Sequence, residues 1–217
     1  MENKQAPVIT IDGPAGSGKG TIAALLAQQL GWQLLDSGAI YRVAAQAALE
    51  AQIPLDAAEA LVALIQGLEM RFEDGKVWRN NHDVSLAIRT PAAADATSRI
   101  SALPPVRAAL MDRQRAFRQL PGLVADGRDM GTVVFPDAKL KVFLTASPEI
   151  RAERRLKQLS EQGIYANITA LIGEIKERDE RDSNRPIAPL RPAADALIID
   201  SSQLNPDQVL HLMMQHQ

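Results

Sequence analysis

The sequence contains no cysteine, which excludes disulfide bonds and thiolate metal sites. Its three histidines, His82, His211 and His216, show no metal-ligand spacing. No apolar run approaches the ~20 residues that span a bilayer, and residues 1–5 contain no apolar signal region. The net charge of −2 argues against a general nucleic-acid or membrane-surface binder. We therefore expect a soluble cytoplasmic protein with no membrane, no nucleic-acid polymer and no protein-held metal site.

The residues that are present suit a globular protein with a substantial core. The chain has 217 residues, of which 46% are hydrophobic, enough for one domain with an elaboration or for two small domains. Seventeen arginines stand against seven lysines. Arginine offers a planar fork for bidentate phosphate contacts, although a GC-rich genome produces the same bias. The composition is therefore compatible with a protein that handles several phosphates.

A glycine-rich segment lies between a strand pattern over residues 8–12 and a helical pattern over residues 19–30. Its glycines let backbone N–H groups turn inward, and the helix N-terminus adds partial positive charge. Lys19 would reach the β- and γ-phosphates of a nucleotide. The plainer alternative is a glycine-rich turn with a surface lysine. The predicted nucleoside triphosphate-binding residues are Gly13, Pro14, Ala15, Gly16, Ser17, Gly18, Lys19, Gly20 and Thr21.

The end of this motif departs from the plain phosphate-loop pattern. Gly20 follows Lys19 where that pattern has serine or threonine, and the hydroxyl comes one place later, at Thr21. This ending resembles that of the nucleoside monophosphate kinases more than that of GTPases or motor ATPases.

Strand and helix patterns alternate along the chain, which predicts an α/β protein with a parallel five-stranded sheet covered on both faces. The predicted strands are residues 8–12, 32–36, 123–126, 140–145 and 196–200. The predicted helices are residues 19–30, 39–52, 57–66, 147–159 and 168–182 and a terminal helix. Asp56 and Asn205 are expected to be N-caps. Ligands gather at the carboxyl ends of such strands, where Gly13, Asp36 and Asp126 fall.

One stretch interrupts this alternation. Residues 69–72 and 76–79 flank the turn pair Asp74-Gly75 and predict a β-hairpin, and residues 82–84 suggest a third short strand. A helical pattern over residues 91–101 follows. We expect these segments to form an insertion over about 62–103.

Two polar clusters follow predicted strands. Asp36, Ser37 and Arg42 come after the second strand, where Ser37 could cap the next helix and donate to an anion. An ordinary N-cap with an exposed arginine explains them equally well. Residues 125–132 place charged side chains between glycines after a buried strand, where charges need partners. A solvated loop is the alternative for this segment.

A third cluster is rich in arginine. Arg178, Arg181 and Arg185 share one helix face, where like charges repel unless they meet anions. Nearby Asp and Glu side chains could neutralise them as i,i+4 pairs. The predicted phosphate site favours phosphate contacts instead. A further group of arginines lies in residues 151–155.

These motifs together resemble those of the bacterial cytidylate kinases over essentially the whole chain. The matching segments are residues 11–21, 35–42, 125–136 and 177–185. The resemblance implies a P-loop fold, transfer of the ATP γ-phosphoryl group to CMP or dCMP, and Mg²⁺ as cofactor with ATP. It also implies that the insertion is a monophosphate-binding domain, that residues 154–165 form a short lid, and that residues 1–61 and 104–217 form the core.

The same resemblance implies roles for individual residues. The acceptor phosphate would be held by Ser37, Arg42, Arg128 and Arg185. The cytosine ring would be read by Ser98, Arg107 and Asp129, and the sugar would contact Arg178 and Asp182. The donor phosphates would be held by Lys19 and the cradle amides, with Arg154 and Arg155 closing over them. The catalytic set is thus Lys19, Arg128, Arg154, Arg155 and Arg185.

Physical chemistry is consistent with these roles. A carboxylate accepts a hydrogen bond from the cytosine amino group, whereas uracil presents a carbonyl there. Phosphoryl transfer needs in-line positioning and positive charge rather than covalent help. Asp36 could orient the acceptor or a metal-bound water. We expect a monomer, because short enzymes of this kind carry both sites in one chain.

Two classes of alternative stay open at the level of the sequence. One is a P-loop kinase that acts on UMP or a small metabolite, which a comparison of CMP with UMP would separate. The other is a nucleotide-dependent switch, which would hydrolyse ATP slowly and phosphorylate nothing. A purely structural protein leaves the cradle unexplained.

Overall fold

The computed structural model describes residues 5–73, 75–161 and 163–216. The chain forms two compact units. One unit contains the residues up to Leu35 and those from Phe117 onward, and the other contains Asp36–Ala116. No helix in the described ranges is both long and apolar enough to cross a membrane.

The strands are β1 Val8–Asp12, β2 Gln33–Asp36, β3 Met70–Glu73, β4 Lys76–Arg79, β5 His82–Asp83, β6 Leu123–Gly127, β7 Leu140–Thr145 and β8 Leu197–Asp200. The helices are α1 Lys19–Leu30, α2 Ser37–Glu50, α3 Ala58–Gln66, α4 Pro91–Ile100, α5 Pro104–Arg115, α6 Pro148–Glu161, α7 Ile168–Ser183 and α8 Pro206–Met214. A short 3₁₀ helix covers Ala87–Arg89, and a π-helical turn covers Met130–Val134.

The first unit is organised around a five-stranded sheet with strand order β2-β6-β1-β7-β8. The central strand β1 pairs in parallel with β6 and β7, and β7 pairs in parallel with β8. Both β1 and β6 are buried along their whole length, as expected of central parallel strands. The register places Asp12 beside Gly127, so the segments after β1 and β6 leave the sheet at the same edge.

The core of this unit contains aliphatic residues of the strands, such as Ile11 and Val142, packed with Leu26 of α1 and Met213 of α8. A smaller cluster around Leu159 and Leu171 joins α6 to α7. Helix α1 ends at Gly31, whose φ of +65° gives the left-handed C-cap that glycine favours.

The second unit combines helices α2–α5 with an antiparallel sheet of order β3-β4-β5. Val43 of α2 packs with Val77 of β4 and Ile88 of the 3₁₀ helix in its buried cluster. The predicted β-hairpin is confirmed, because β3 and β4 pair in antiparallel orientation, and Gly75 between them has a φ of +72°. Asp74 of the predicted turn lies outside the described residues. The boundaries predicted for the insertion, 62–103, stay a prediction.

The predicted five-stranded parallel sheet and small antiparallel sheet are confirmed, but two predicted N-caps are wrong. Asp56 is not the cap of α3, because its backbone carbonyl, not its carboxylate, accepts from Ala58 N. Helix α2 is capped by Asp36 rather than Ser37. Asp36 has an extended conformation, and its Oδ1 accepts from Ala39 N at 2.9 Å, so Ser37 is already helical.

One predicted cap is correct, and one helix has no counterpart among the predicted elements. The predicted cap of α8 is confirmed, since Asn205 and Gln208 form a reciprocal capping box. Helix α5 is an element that the sequence patterns did not predict. Two of its four buried residues, Arg107 and Gln114, are polar, which obscures the apolar periodicity.

Candidate active site

The glycine-rich segment forms a tight turn between β1 and α1. Gly13 has a φ of +154°, and a Cβ there would lie 2.0 Å from the Leu144 carbonyl oxygen. Gly18, at the N-cap of α1, has a φ of +91°. Side chains are therefore excluded by backbone conformation and by close approach, which leaves the N–H groups of the turn to bind a ligand.

Lys19 begins α1 and is 8% exposed. Its Nζ donates to the Pro14 carbonyl at 3.2 Å and lies 3.9 Å from Asp126 Oδ1. The Lys19 ammonium group is therefore held at the glycine-rich turn by the Pro14 carbonyl, beside the Asp126 carboxylate. The buried Ser17 hydroxyl has no hydrogen-bond partner among the described residues, which leaves a polar atom at the turn for a ligand.

Gly20 explains why the motif departs from the plain pattern. A Cβ at residue 20 would lie 3.2 Å from Asp126 Oδ2, which is tighter than an ordinary contact. Glycine therefore leaves room for the Asp126 carboxylate where the plain motif has serine or threonine. The Asp126 carboxylate therefore lies beside the first turn of α1, in which the Thr21 hydroxyl stands one place after Gly20.

Two α6 arginines bind carbonyl oxygens of the turn. Arg151 donates to the Ala15 carbonyl at 3.1 Å. Arg154 donates to the Ser17 carbonyl at 3.2 Å and to the Ser201 carbonyl at 2.7 Å. Arg155, the other predicted lid arginine, is half-buried.

A second cluster lies at the same edge of the sheet, after β6. Arg128 Nε donates to Asp182 Oδ2 at 3.1 Å, and Arg185 Nη2 donates to Asp182 Oδ1. Burial raises the pKa of Asp182, but the charges of Arg128, Arg185 and Arg178 outweigh it and hold the pKa below its ordinary value. A single buried carboxylate therefore binds Arg128 in the loop after β6 and Arg185. The prediction that Arg185 shares a helix face with Arg178 and Arg181 is wrong, because α7 ends at Ser183.

Asp129 is buried directly after Arg128. The segment that follows it is fixed to β1, because Asp12 accepts hydrogen bonds from Met130 N and Gly131 N, both at 2.8 Å. Asp129 is thus held between an ion-paired arginine and an anchored turn. This rigidity suits a carboxylate that recognises one ligand group.

The second unit contains the other predicted acceptor residues. Ser37 is buried in the first turn of α2, and Arg42 Nη1 lies 4.0 Å from Asp36 Oδ2. Arg107 of α5 is buried, donates to the Ser101 carbonyl at 3.2 Å and lies 5.9 Å from the Tyr41 ring centroid. The buried Ser98 hydroxyl of α4 has no hydrogen-bond partner among the described residues.

Comparison with known proteins assigns the chain to a family. The family model described as cytidylate kinase matches residues 9–217. The chain belongs to the cytidylate kinase family. It is 57% identical to the cytidylate kinase of Klebsiella pneumoniae (strain 342) over 97% of this chain and 94% of that protein. It is 58% identical to the cytidylate kinase of Serratia proteamaculans (strain 568) over 94% of this chain and 91% of that protein.

The fold is also found in a distant solved structure. The crystal structure of an uncharacterized protein from Eubacterium ventriosum ATCC 27560 covers 96% of this chain, with 12% identity and a TM-score of 0.50. The match also covers 96% of that protein's chain. At this identity the likeness concerns the fold alone.

Family membership does not by itself locate the supporting residues that the structure adds. The sequence did not predict supporting roles for three residues. Ser201 binds the cradle, Asp179 binds Arg151, and Asp12 binds the turn after β6. Asp12 ends β1 and Ser201 directly follows β8, and a polar residue at a strand end is the signal that could have found them. Asp179 gives no such signal, since it lies in a run of charged residues.

The pKa of Asp12 is strongly raised. The pKa rises from 3.8 to about 7, chiefly because the carboxyl group is buried, and the charges of Asp129 and Asp126 act in the same direction. The hydrogen bonds from Gly131 and Met130 oppose this effect. Asp12 consequently holds a proton in the folded protein at pH values where an unfolded aspartate is ionised.

This shift predicts a pH dependence of stability. Between pH ~4 and ~7 the folded state binds more protons than the unfolded chain, so the contribution of Asp12 to stability falls as pH rises. The unfolding free energy of wild type minus that of Asp12→Asn should therefore fall across this range by a few kcal/mol, on the order of 1.4 kcal/mol per unit of pKa shift. Urea unfolding at pH 5 and pH 8 measures it, and parallel changes in the two proteins would contradict it.

Proposed function

We propose that the protein transfers the γ-phosphoryl group of ATP to CMP or dCMP and releases ADP and CDP or dCDP. One observation supports this most directly. Adjacent strands β1 and β6 end at the same sheet edge, the first in the Lys19 cradle and the second in Arg128 with its buried Asp182–Arg185 partners. Two phosphate-binding clusters so placed suit a donor and an acceptor, whereas a nucleotide switch needs only the first.

The donor side of the reaction is assigned to the cradle. Its N–H groups and Lys19 would neutralise the β- and γ-phosphates, as the charge on the moving group requires. Arg154 and Arg155 are proposed to close over these phosphates, which in this conformation requires Arg154 to leave the Ser17 and Ser201 carbonyls.

Mg²⁺ is proposed to enter with ATP. The sequence predicts no metal site held by the protein, but the Asp126 carboxylate beside Gly20 and the Thr21 hydroxyl in the first turn of α1 are oxygen donors of the kind that Mg²⁺ prefers. These two residues would hold the ion. When bound, it supplies positive charge to the phosphate oxygens.

The acceptor side is assigned to both clusters of predicted residues. In the first unit, Arg128 and Arg185 would hold the CMP phosphate, Arg178 and Asp182 the sugar, and Asp129 the cytosine amino group. In the second unit, Ser37 and Arg42 would contact the phosphate. Ser98 and Arg107 would contact the ring. The unpartnered, buried Ser98 hydroxyl supports this role, because such a group is costly unless a ligand completes it.

A coupled ADP-release assay tests the proposal. CMP, dCMP, UMP, AMP and GMP are each supplied with ATP and Mg²⁺, and a reaction without acceptor measures basal hydrolysis. We expect CMP and dCMP to be the best acceptors and the basal rate to be negligible. Equal turnover of UMP would favour a broader kinase, and acceptor-independent ADP release would favour a switch.

The domain boundaries remain part of the proposal. Residues 62–103 would form the monophosphate-binding insertion and residues 154–165 the lid, in a monomeric cytoplasmic protein whose core is residues 1–61 and 104–217. Within the lid, Gln162 lies outside the described residues. Hydrogen exchange in both segments should slow when CMP and a non-hydrolysable ATP analogue bind, while α8 serves as the unchanged control. Unaltered protection at saturating ligand would reject the assignment.

A further inference from the structure

The Arg151 side chain joins three parts of the first unit. It is 2% exposed, and its Nε donates to the Ala146 carbonyl at 2.9 Å, in the connection between β7 and α6. Its Nη1 donates to the Ala15 carbonyl in the cradle at 3.1 Å and to Asp179 Oδ1 on α7 at 3.0 Å. Its Nη2 donates to Asp179 Oδ2. A bidentate ion pair between the buried Arg151 and the half-buried Asp179 therefore contacts the backbone of the cradle.

The direction of the Ala15 carbonyl has a consequence for phosphate binding. A peptide unit is planar and trans, so the carbonyl of one residue and the N–H of the next point in opposite directions. Because Arg151 holds the Ala15 carbonyl on the α6 side, the Gly16 N–H points away from α6. The Ser17 carbonyl is held in a similar way by Arg154 and by the Ser201 hydroxyl, at 3.2 and 2.9 Å, which orients the Gly18 N–H.

Asp179 connects this arrangement to the second cluster. It lies three residues before Asp182 on α7, one helical turn away, and Asp182 binds Arg128 and Arg185. Helix α7 is thus connected to the cradle by Asp179 through Arg151, and to Arg128 after β6 by Asp182.

We propose that Arg151 and Asp179 form a positioning pair for the phosphate cradle. The carboxylate orients the guanidinium, and the guanidinium fixes the Ala15 carbonyl so that the Gly16 N–H is aimed at the donor phosphates before ATP binds. The pair touches no reacting atom. This inference rests on the proposed use of ATP, and it assigns to the pair a role in donor affinity rather than in CMP recognition.

A plainer explanation is that the pair only fastens α6 to α7. The chain offers a matched control, because Glu149 and Lys176 form a second ion pair between the same helices at 3.3 Å. Their side chains are 54% and 58% exposed. Lys176→Gln therefore breaks an α6–α7 pair without disturbing the contacts to Ala15.

Binding of an ATP analogue and of CMP, each measured alone by calorimetry, tests the proposal. Asp179→Asn should weaken analogue binding by about 10-fold, the scale of a hydrogen bond to a charged group, and change CMP binding by less than about 3-fold. Arg151→Lys should act in the same direction, because one ammonium cannot replace a fork that serves several acceptors. The double variant should show non-additive losses. Lys176→Gln should bind both ligands normally.

Two results would overturn the proposal. One is equal weakening of analogue and CMP binding in folded Asp179→Asn and Arg151→Lys. The other is wild-type analogue affinity in both. Because binding is measured without turnover, a failure of the kinase proposal would appear in the ADP-release assay and not here. A measurement on the wild-type protein keeps the proposal testable if the variants do not fold. The amide resonance of Gly16 must shift when the ATP analogue binds. An unshifted resonance contradicts the proposal that this N–H points at the donor phosphates.

Discussion

Replacing Lys19 with alanine should lower kcat by ~10²–10³, the scale for loss of one preorganised charge at a site of developing negative charge. The structure explains why no other group compensates. The Lys19 ammonium is held by the Pro14 carbonyl and lies beside Asp126, so its removal leaves the carboxylate charge of Asp126 next to the cradle. That charge would repel the donor phosphates.

Two further variants separate charge from packing. Lys19→Met keeps the apolar stem and removes the ammonium, so it should lose as much activity as Lys19→Ala. Lys139→Ala removes an exposed lysine directly before β7 and should keep wild-type kcat. Turnover is measured by ADP release, and folding by the urea midpoint. Near-normal kcat in a folded Lys19→Met protein would refute the cradle assignment.

Asp129→Asn should change the choice of base. If the Asp129 carboxylate accepts from the cytosine amino group, UMP places a carbonyl against it with no proton between them. A site that hydrogen-bonds its substrate can reject such an analogue by up to ~10⁴–10⁵. Asparagine keeps the shape but adds a donor. The kcat/KM for CMP should therefore fall sharply, by ~10–100-fold or more, and the CMP-to-UMP ratio should narrow.

The surroundings of Asp129 sharpen this test. Arg128 on one side is bound to Asp182, and Met130 on the other is bound to Asp12, so an amide at residue 129 has little freedom to turn away. Asp137→Asn is the control, because Asp137 has a 55% exposed side chain and pairs with Arg118 at 2.8 Å. If Asp129 only neutralises an arginine, both substrates will weaken alike and the ratio will stay unchanged.

Local patterns were enough to predict most of the fold. The buried strands β1, β6 and β7 are short apolar runs, and α1 starts where the glycine turn ends, so neighbouring residues alone determine these elements. The two wrong caps, Asp56 and Ser37, show the limit of this reasoning. Several polar residues near a helix start can cap it, and backbone conformation decides which one does.

The sequence by itself determined the phosphate cradle, the strand-end clusters and the α/β architecture, because their signals are contained in runs of a few residues. Only the tertiary structure decided how these clusters are supported. Arg151 lies 136 positions from Ala15 and 28 from Asp179, and Asp12 lies 118 from Met130. Such contacts leave no local pattern, since a buried charge takes its partner from whichever element the fold places beside it.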